Sequence, residues 1–578
     1  MVSFEWQNSN KLLTGPLSVV IKIIIFHLTV NFAYAGAVVT ANPFATKVGL
    51  NILKQGGNVI DAGVGIQYVL GLVEPQSSGL GGGSFALFYD NESKKLYAID
   101  GREKAPKSIP YDFFQQFRGS RKGFFNLVTN PASVGVPGTP LLLENIHAKF
   151  GRLDWSELHE EPINLASNGF PISPRLHTLA KKDRFLRRNT NSKRYFYSAL
   201  DKTLFAKEIG YILKNPPYAN VLKQFKNQGI STSFYNGTIM SKILLDLNNV
   251  KGNSFLQTDD FKNYSIVYRK PLCGTYRYFR ICSMGPPSSG ATTILQTLGI
   301  LENFDLAKFE TTSPELIHLI SEATYLAFLD RNSYLGDPDF VSVPITQMLD
   351  KQYLKKRAEL ISPLKKIQKA NPGKFENFQQ KSHSVDHSMS STSHFVVTDN
   401  WGNALSMTSS VESAFGSRIM SQGFMLNNQL TDFAFRQKDN RGVKIQNSLE
   451  PEKRPLSSMS PTIIFDREGN IFALLGSPGG KNIISYVLQT IIRLIDFNFS
   501  PMEAVTEPRI VNTGRGLVLE KNKFPIEVIN KLKKLGHHEL RERRVFSGIH
   551  VIKLRKDKIK TYIETGVDPR REGMALIE

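Results

Sequence analysis

Two β-hairpins followed by an apolar-faced helix, between residues 392 and 495, limit the folds open to this chain more than any other feature. Thr392–Asp399 and Ala404–Ser410 read as strands joined by the turn Asn400-Trp401-Gly402-Asn403. Thr462–Asp466 and Ile471–Leu475 repeat the pattern across Arg467-Glu468-Gly469-Asn470. Gly476-Ser477-Pro478-Gly479-Gly480 then leads into a helix in which Ile483, Ile484, Val487, Leu488, Ile491, Ile492 and Ile495 keep helical period. Far upstream, Pro43 opens a helix with Phe44, Val48 and Ile52 at four-residue spacing, closed by Gly56-Gly57. Asp61 is expected to cap an apolar, small-residue segment, Ala62–Val73, suited to a helix buried on all sides. Hairpins set between such helices must bury both faces of their sheets. The fold class is therefore α+β, with a four-layer αββα sandwich as the expected architecture.

Ser77-Ser78-Gly79-Leu80-Gly81-Gly82-Gly83 precedes two further strands, Ser84–Tyr89 and Leu96–Asp100. The stretch lacks the Gly-Lys-Ser/Thr ending of a phosphate loop, and a strand follows it rather than a helix. Close backbone packing that tolerates no Cβ is the better reading. Residues 110–380 read as mainly helical, with Val134-Gly135-Val136-Pro137-Gly138 turning into a helix over Thr139–Phe150. Lys381–Ser391, Lys-Ser-His-Ser-Val-Asp-His-Ser-Met-Ser-Ser, is mostly polar and reads as flexible.

Residues 1–35 carry the marks of a leader. Lys11 precedes an apolar stretch, Leu17–Val30, and Ala33-Tyr34-Ala35 offers a cleavage site before Gly36. Lys22 and His27 interrupt the stretch, which is short of the about 20 apolar residues a stable span requires. The segment is expected to be a signal peptide or, failing cleavage, an anchor. The remaining chain would be exported, to a periplasm or the extracellular space. Cys273 and Cys282 flank a turn between two short strands, Pro271–Tyr276 and Tyr278–Ser283; a cross-strand disulfide and a pair of buried thiols both fit.

The charge is the unusual part of the composition: 72 Lys+Arg against 51 Asp+Glu, a net +21. Such a balance raises the question of a polyanionic partner. Seven Lys/Arg fall within residues 181–194, a solvated face or an anion-binding one. No RNA-recognition, zinc-finger or helix-turn-helix pattern accompanies them, so no nucleic acid is expected as a partner. Histidines are scattered without metal-ligand spacing, and neither a metal nor a cofactor is expected.

Chemistry centres on Ser390-Ser391-Thr392-Ser393-His394, where a polar segment runs into a strand. A Thr hydroxyl is a weak nucleophile and needs a base. An α-amine exposed by cutting the chain just before it supplies one, with a pKa of about 7.7–8. Taken alone, a structural hydroxyl cluster is the commoner meaning. Gly479-Gly480 before a helix could present N–H groups to an oxyanion, or form an ordinary tight turn. Arg102 could clamp a carboxylate, and Asp432 with Gln429 could receive an ammonium, although each also reads as a local polar contact.

Together these segments resemble the γ-glutamyltransferase family of N-terminal-nucleophile hydrolases. The resemblance rests on Ala41-Asn42-Pro43-Phe44-Ala45, Gly56-Gly57-Asn58-Val59-Ile60-Asp61-Ala62 and Glu74-Pro75-Gln76-Ser77-Ser78 with the glycines that follow. It continues through Gly285-Pro286-Pro287-Ser288-Ser289-Gly290, Tyr334-Leu335-Gly336-Asp337-Pro338-Asp339-Phe340, Thr392-Ser393-His394, Pro455-Leu456-Ser457-Ser458-Met459-Ser460-Pro461 and Gly476-Ser477-Pro478-Gly479-Gly480.

The resemblance implies a precursor that cuts itself between Ser391 and Thr392. The products would be a large subunit, 36–391, and a small one, 392–578, associated as a heterodimer that shares the sandwich. Thr392 would supply nucleophile and amine base, with Ser410 as its hydroxyl partner, where the family usually has Thr. Gly479 and Gly480 would form the oxyanion hole. Arg102, Ser457 and Ser458 match positions that hold the glutamyl α-carboxylate; Gln429 and Asp432 match those that hold its α-ammonium. The implied substrates are glutathione and other γ-glutamyl compounds, with water, amino acids or peptides as acceptors. Two departures stand out. Glu412 occupies a position near the ammonium where the best-known members have Asn, and Phe433–Leu456, the lid segment, contains no Tyr. A more open site would suit a glutaryl or cephalosporin-type acylase of the same family, although two acids beside the ammonium site argue against it. A catalytically inactive binding homologue is the third reading.

Overall fold

The computed structural model describes residues 36–200, 203–378, 391–556 and 561–578. The predicted leader, 1–35, and most of the polar segment before Ser391 lie outside them. Among the described residues, no helix is long and apolar enough to cross a membrane.

Thirteen strands build two antiparallel sheets. They are β1 (Ala37–Thr40), β2 (Gly83–Asp90), β3 (Lys95–Gly101), β4 (Val267–Arg269), β5 (Leu272–Tyr276), β6 (Phe279–Ser283) and β7 (Ser391–Thr398). The others are β8 (Ala404–Glu412), β9 (Thr462–Phe465), β10 (Ile471–Gly476), β11 (His550–Lys556), β12 (Thr561–Val567) and β13 (Met574–Ile577). The first sheet runs β13-β1-β7-β8-β2-β3-β4 and the second β12-β11-β10-β9-β6-β5. Both predicted hairpins are present, β7–β8 and β9–β10: each joins two short, largely buried β-forming runs across a polar turn.

Period-two alternation sorts the side chains into layers. On the first sheet, Val38, Ala86, Phe88, Phe395 and Met407 face one core, while Ala37, Val39, Phe85, Leu87 and Val396 face the other. The first core is covered by α1 (Pro43–Lys54) and α2 (Val59–Val73). The second joins the two sheets and extends to α3 (Gly290–Leu301), α4 (Pro314–Tyr334) and α5 (Ile483–Ile495). The order is helices, sheet, sheet, helices, the four-layer sandwich expected.

One local reading needs correction. Asp61 is not the cap of α2. Asn58 holds that place, accepting from the Ile60 and Asp61 N–H groups, and Asp61 closes the box by accepting the Asn58 N–H at 2.9 Å. The helix therefore starts at Val59. The open question at the two cysteines is answered as well: Cys273 and Cys282 face each other in the β5–β6 register and are joined as a disulfide.

The glycine stretch packs as expected. A Cβ on Gly82 would stand 2.1 Å from the Ser410 carbonyl oxygen, and one on Gly81 would stand 2.1 Å from that of Met425. Only glycine lets this strand approach the part of β8 that carries Ser410.

Candidate active site

Thr392 and Ser410 lie on neighbouring strands at an irregularity. Ser391 pairs with Glu412 and Ser393 with Ser409, so Thr392 alone faces both Ser410 and Val411. This bulge turns the Ser410 hydroxyl toward the Ser391–Thr392 peptide. Ser410 Oγ donates to the Ser391 carbonyl oxygen at 2.8 Å and accepts the Glu412 N–H at 2.9 Å. It lies 3.2 Å from Thr392 Oγ1. A hydroxyl has one proton to give. With that proton on the carbonyl, the Thr392 hydroxyl must be the donor to Ser410. The three groups form a directed chain, from Thr392 O–H to Ser410 O–H to Ser391 C=O. The Ser391 hydroxyl is anchored on the Gln76 carbonyl and lies 3.3 Å from Ser77 Oγ.

Most of the other predicted residues converge here. Arg102, Glu412, Gln429, Asp432, Ser457, Ser458 and Gly480 line one pocket with Thr392 and Ser410. Gly479 adjoins it, one residue before the short turn into α5. Gly479 has φ +144° and Gly480 φ +56°, conformations that favour glycine. Neither N–H has an acceptor among the described residues. Both lie at the N-terminal end of α5, where the helix dipole favours negative charge.

The charged poles are closer together than the sequence suggested. Arg102 Nη2 donates to Asp432 Oδ2 at 2.7 Å and to the Leu456 carbonyl at 3.1 Å, while Nε donates to the Pro455 carbonyl at 3.1 Å. Gln429 Nε2 donates to the same Asp432 oxygen at 2.6 Å. The residues matched to the carboxylate and ammonium positions, Arg102 and Asp432, touch each other. An amino-acid head carries its carboxylate and ammonium on one carbon, so adjacent poles match it better than distant ones. Glu412 is buried, accepting from Asn428 Nδ2 at 2.7 Å and from the Ser413 hydroxyl. Its φ is +78°, a region where Asn is at ease and Glu is strained.

Three contributors escaped the sequence reading. Arg331, on α4, is buried behind the serines: Nη2 donates to Ser458 Oγ at 3.0 Å and Nε to Ser289 Oγ at 2.9 Å. Arg571 Nη1 donates to the Thr392 carbonyl at 3.0 Å, and Nη2 to the Phe546 carbonyl at 3.1 Å. Burial, with Arg175 nearby, pulls its guanidinium down to about 9. Lys481 stands on the pocket wall beside Gly480. Nothing local in the sequence marks either arginine, since each meets its partners only through the fold.

His394 follows Ser393 in β7 but does not line the pocket. Its Nδ1 lies 2.9 Å from Thr408 Oγ1 and its ring stacks on His550 at 6.1 Å. Burial and the neighbouring His550 hold it well below the usual imidazole range, so it is neutral. Glu103 sits under the pocket, 3.5 Å from Arg102 Nη1; burial lifts its carboxyl to about 7 despite that partner. The lid segment is folded over apolar contacts. Phe433, Phe435 and Leu449 join Phe114 and Phe124 in a small core, and no aromatic side chain lines the pocket among the described residues.

A family model described as gamma-glutamyltranspeptidase matches residues 45–577. The glutathione hydrolase proenzyme of Bacillus subtilis (strain 168) is 37% identical over 522 residues, 87% of this chain and 85% of that protein. That of Escherichia coli (strain K12) is 34% identical over 504 residues, 86% of this chain and 83% of its own length. The crystal structure of cephalosporin acylase from Bacillus halodurans superposes with a TM-score of 0.78, covering 100% of this chain and 99% of that one. At 23% identity that likeness concerns the fold alone. With the family model spanning nearly all of the described chain, and whole-length relatives above 30% identity, this chain belongs to the gamma-glutamyltranspeptidase family.

Proposed function

We propose that the chain is an autoprocessing γ-glutamyltransferase and glutathione hydrolase with Thr392 as its nucleophile. The observation that carries this reading is the hydroxyl chain from Thr392 through Ser410 to the Ser391 carbonyl. In the first step Thr392 Oγ1 attacks the Ser391 carbonyl carbon. Negative charge develops on the oxygen that Ser410 already contacts, the Thr392 hydroxyl proton passes to the peptide nitrogen, the C–N bond breaks, and the nitrogen leaves as the α-amine of Thr392. Water then hydrolyses the Ser391 ester. The fragments, residues up to 391 and 392–578, stay together because β7 lies between β1 and β8 within one sheet.

The freed amine becomes the base. It accepts the Thr392 hydroxyl proton as Oγ1 attacks the γ-amide carbon of a donor such as glutathione. The oxyanion is received by the Gly479 and Gly480 N–H groups. The amine returns the proton to the leaving nitrogen, and a γ-glutamyl ester remains on Thr392. Water or an amino-acid or peptide amine then takes the acyl group. Arg102, with Ser457 and with Ser458 held by Arg331, receives the donor's α-carboxylate; Asp432, Gln429 and Glu412 receive its α-ammonium. Holding nucleophile and amide together supplies much of the rate. A glutaryl side chain has no ammonium to offer this acid pair, which favours γ-glutamyl donors over an acylase reading. In this reading the leader exports the precursor.

Folded wild-type protein should run as two bands on a denaturing gel, split at Thr392, and hydrolyse a γ-glutamyl anilide. Thr392→Ala should stay whole and inactive. A folded wild-type chain that remains intact and inactive would overturn the reading.

A further inference from the structure

We infer that His318, Glu322 and His537 form a structural site for one divalent transition-metal ion of the zinc class. His318 and Glu322 are four residues apart on α4 and so share a face. His537 arrives from the other end of the chain. It follows α6 (Ile526–Lys534) through Gly536, whose φ of +103° turns the backbone, and its N–H is tied to the Leu532 carbonyl at 3.1 Å. All three side chains are buried, and one ligand atom from each lies within 4.8 Å of the others. None of them lines the Thr392 pocket.

The hydrogen bonds orient the imidazoles for a metal. His318 Nε2 is 2.8 Å from the Ser362 carbonyl oxygen, which can only accept, so Nε2 carries the proton. His318 Nδ1 then presents a lone pair toward His537 Nε2, 2.8 Å away. A ligating histidine typically holds its other N–H against a carbonyl in this way. Glu322 Oε2 accepts the Ile367 N–H at 2.7 Å, but Oε1 is buried with no partner among the described residues. An apolar interior gains nothing from a carboxylate left half-satisfied. Burial lifts Glu322 to about 7, in keeping with that cost.

Two imidazoles and one carboxylate are a zinc-type set of three protein ligands, which leaves the fourth tetrahedral position to a water molecule. Bonds of about 2.0–2.2 Å place tetrahedral ligand atoms about 3.3 Å apart. The imidazole pair opens slightly and Glu322 swings inward to meet that spacing. On binding, Glu322 gives up any proton to solvent, and the His537 proton moves from Nε2 to Nδ1. Lys366 is the neighbouring cation, and Glu539 pairs with it at 2.7 Å. If the chain is cut after Ser391 as proposed above, the ion ties α4 of one fragment to the His537 turn of the other; this clause alone rests on that reading. The sequence showed no metal spacing because the third ligand is distant in the chain.

The test uses the full purified chain, dialysed against Zn2+ and then freed of loose metal, with bound metal measured by mass spectrometry. Co2+ titration followed by visible absorption reports tetrahedral ligation. Wild type and the uncleaved Thr392→Ala variant should each hold about one Zn2+ per chain. Glu322→Gln and His537→Ala should bind at least about tenfold more weakly, and Zn2+ should raise the melting temperature of wild type but not of Glu322→Gln. Glu322→Gln, nearly isosteric, decides the matter if His537→Ala does not fold. Absence of stoichiometric metal in wild type, or equal occupancy in wild type and Glu322→Gln, overturns the site. Because the Thr392→Ala arm needs no cleavage, the site can stand or fall apart from the proposed activity.

Discussion

The Ser410 hydroxyl donates to the carbonyl oxygen of Ser391 at 2.8 Å while standing 3.2 Å from the Thr392 hydroxyl. One side chain thus touches both atoms between which the proposed first bond forms, or their direct substituents. Loss of a donor to a developing oxyanion slows acyl transfer by about 10²–10³. Ser410→Ala should slow processing by that order, whereas Ser410→Thr, which keeps the hydroxyl, should process readily. A time course on denaturing gels measures both. Cleavage of Ser410→Ala at the wild-type rate would remove Ser410 from the mechanism.

Arg102 and Asp432, 2.7 Å apart, present both charges an amino-acid head requires. Asp432→Asn removes the negative charge that receives the ammonium and leaves Arg102 without its closest acid. A hydrogen bond to a charged group is worth about 1.5–3 kcal/mol, or roughly 10–100-fold. The ratio of kcat/KM for a γ-glutamyl anilide over a glutaryl anilide should fall by that factor, with KM for the γ-glutamyl donor carrying most of it. An unchanged ratio would show that Asp432 does not read the ammonium.

What the sequence made legible was what neighbours in the chain decide. The β7–β8 hairpin is written in two β-forming runs around the polar turn Asn400–Asn403, and the helix Thr139–Phe150 has the predicted bounds because glycines stand at both its ends. Gly82 reads as a close approach even before its neighbour, the Ser410 carbonyl, is known. Arg331 and Arg571 were illegible for the opposite reason. Ser458 and Thr392 are far from them in sequence, and an arginine's burial depends on the carbonyls and hydroxyls that the fold brings to it. The touching of Arg102 and Asp432 was hidden likewise, since pattern matching assigns poles but not their spacing.

Arg571 reaches the Thr392 carbonyl at 3.0 Å and the Phe546 carbonyl with both Nε, at 3.3 Å, and Nη2, at 3.1 Å. A lysine offers one compact cation and cannot span both carbonyls. Arg571→Lys keeps a long cationic side chain at the position but should let the nucleophile's backbone drift. Misplacement by about 1 Å can cost on the order of 10² in rate. A fall in kcat of about 10–100-fold with little change in KM is expected in steady-state kinetics. A variant with wild-type kcat would show that the contact only packs the small fragment.

Glu103 connects the site to pH. Its folded carboxyl lies at about 7, raised chiefly by burial and pulled back in part by Arg102, against an ordinary value of 4.5. A folded group that holds its proton more tightly than the unfolded chain loses stability as pH rises through that window. The contribution is intact below about 4.5, declines up to about 7, and is a constant penalty above. Linkage over that interval amounts to at most about 3 kcal/mol. Glu103→Gln fixes the neutral form, so its stability should match wild type at about pH 4, below the unfolded value, and exceed it at pH 8. Other buried acids such as Glu322 titrate in both proteins, so the difference between their denaturant midpoints isolates Glu103. Parallel stability curves for the two proteins from pH 5 to pH 8 would mean that Glu103 is ionised throughout, held by Arg102 more strongly than its burial opposes.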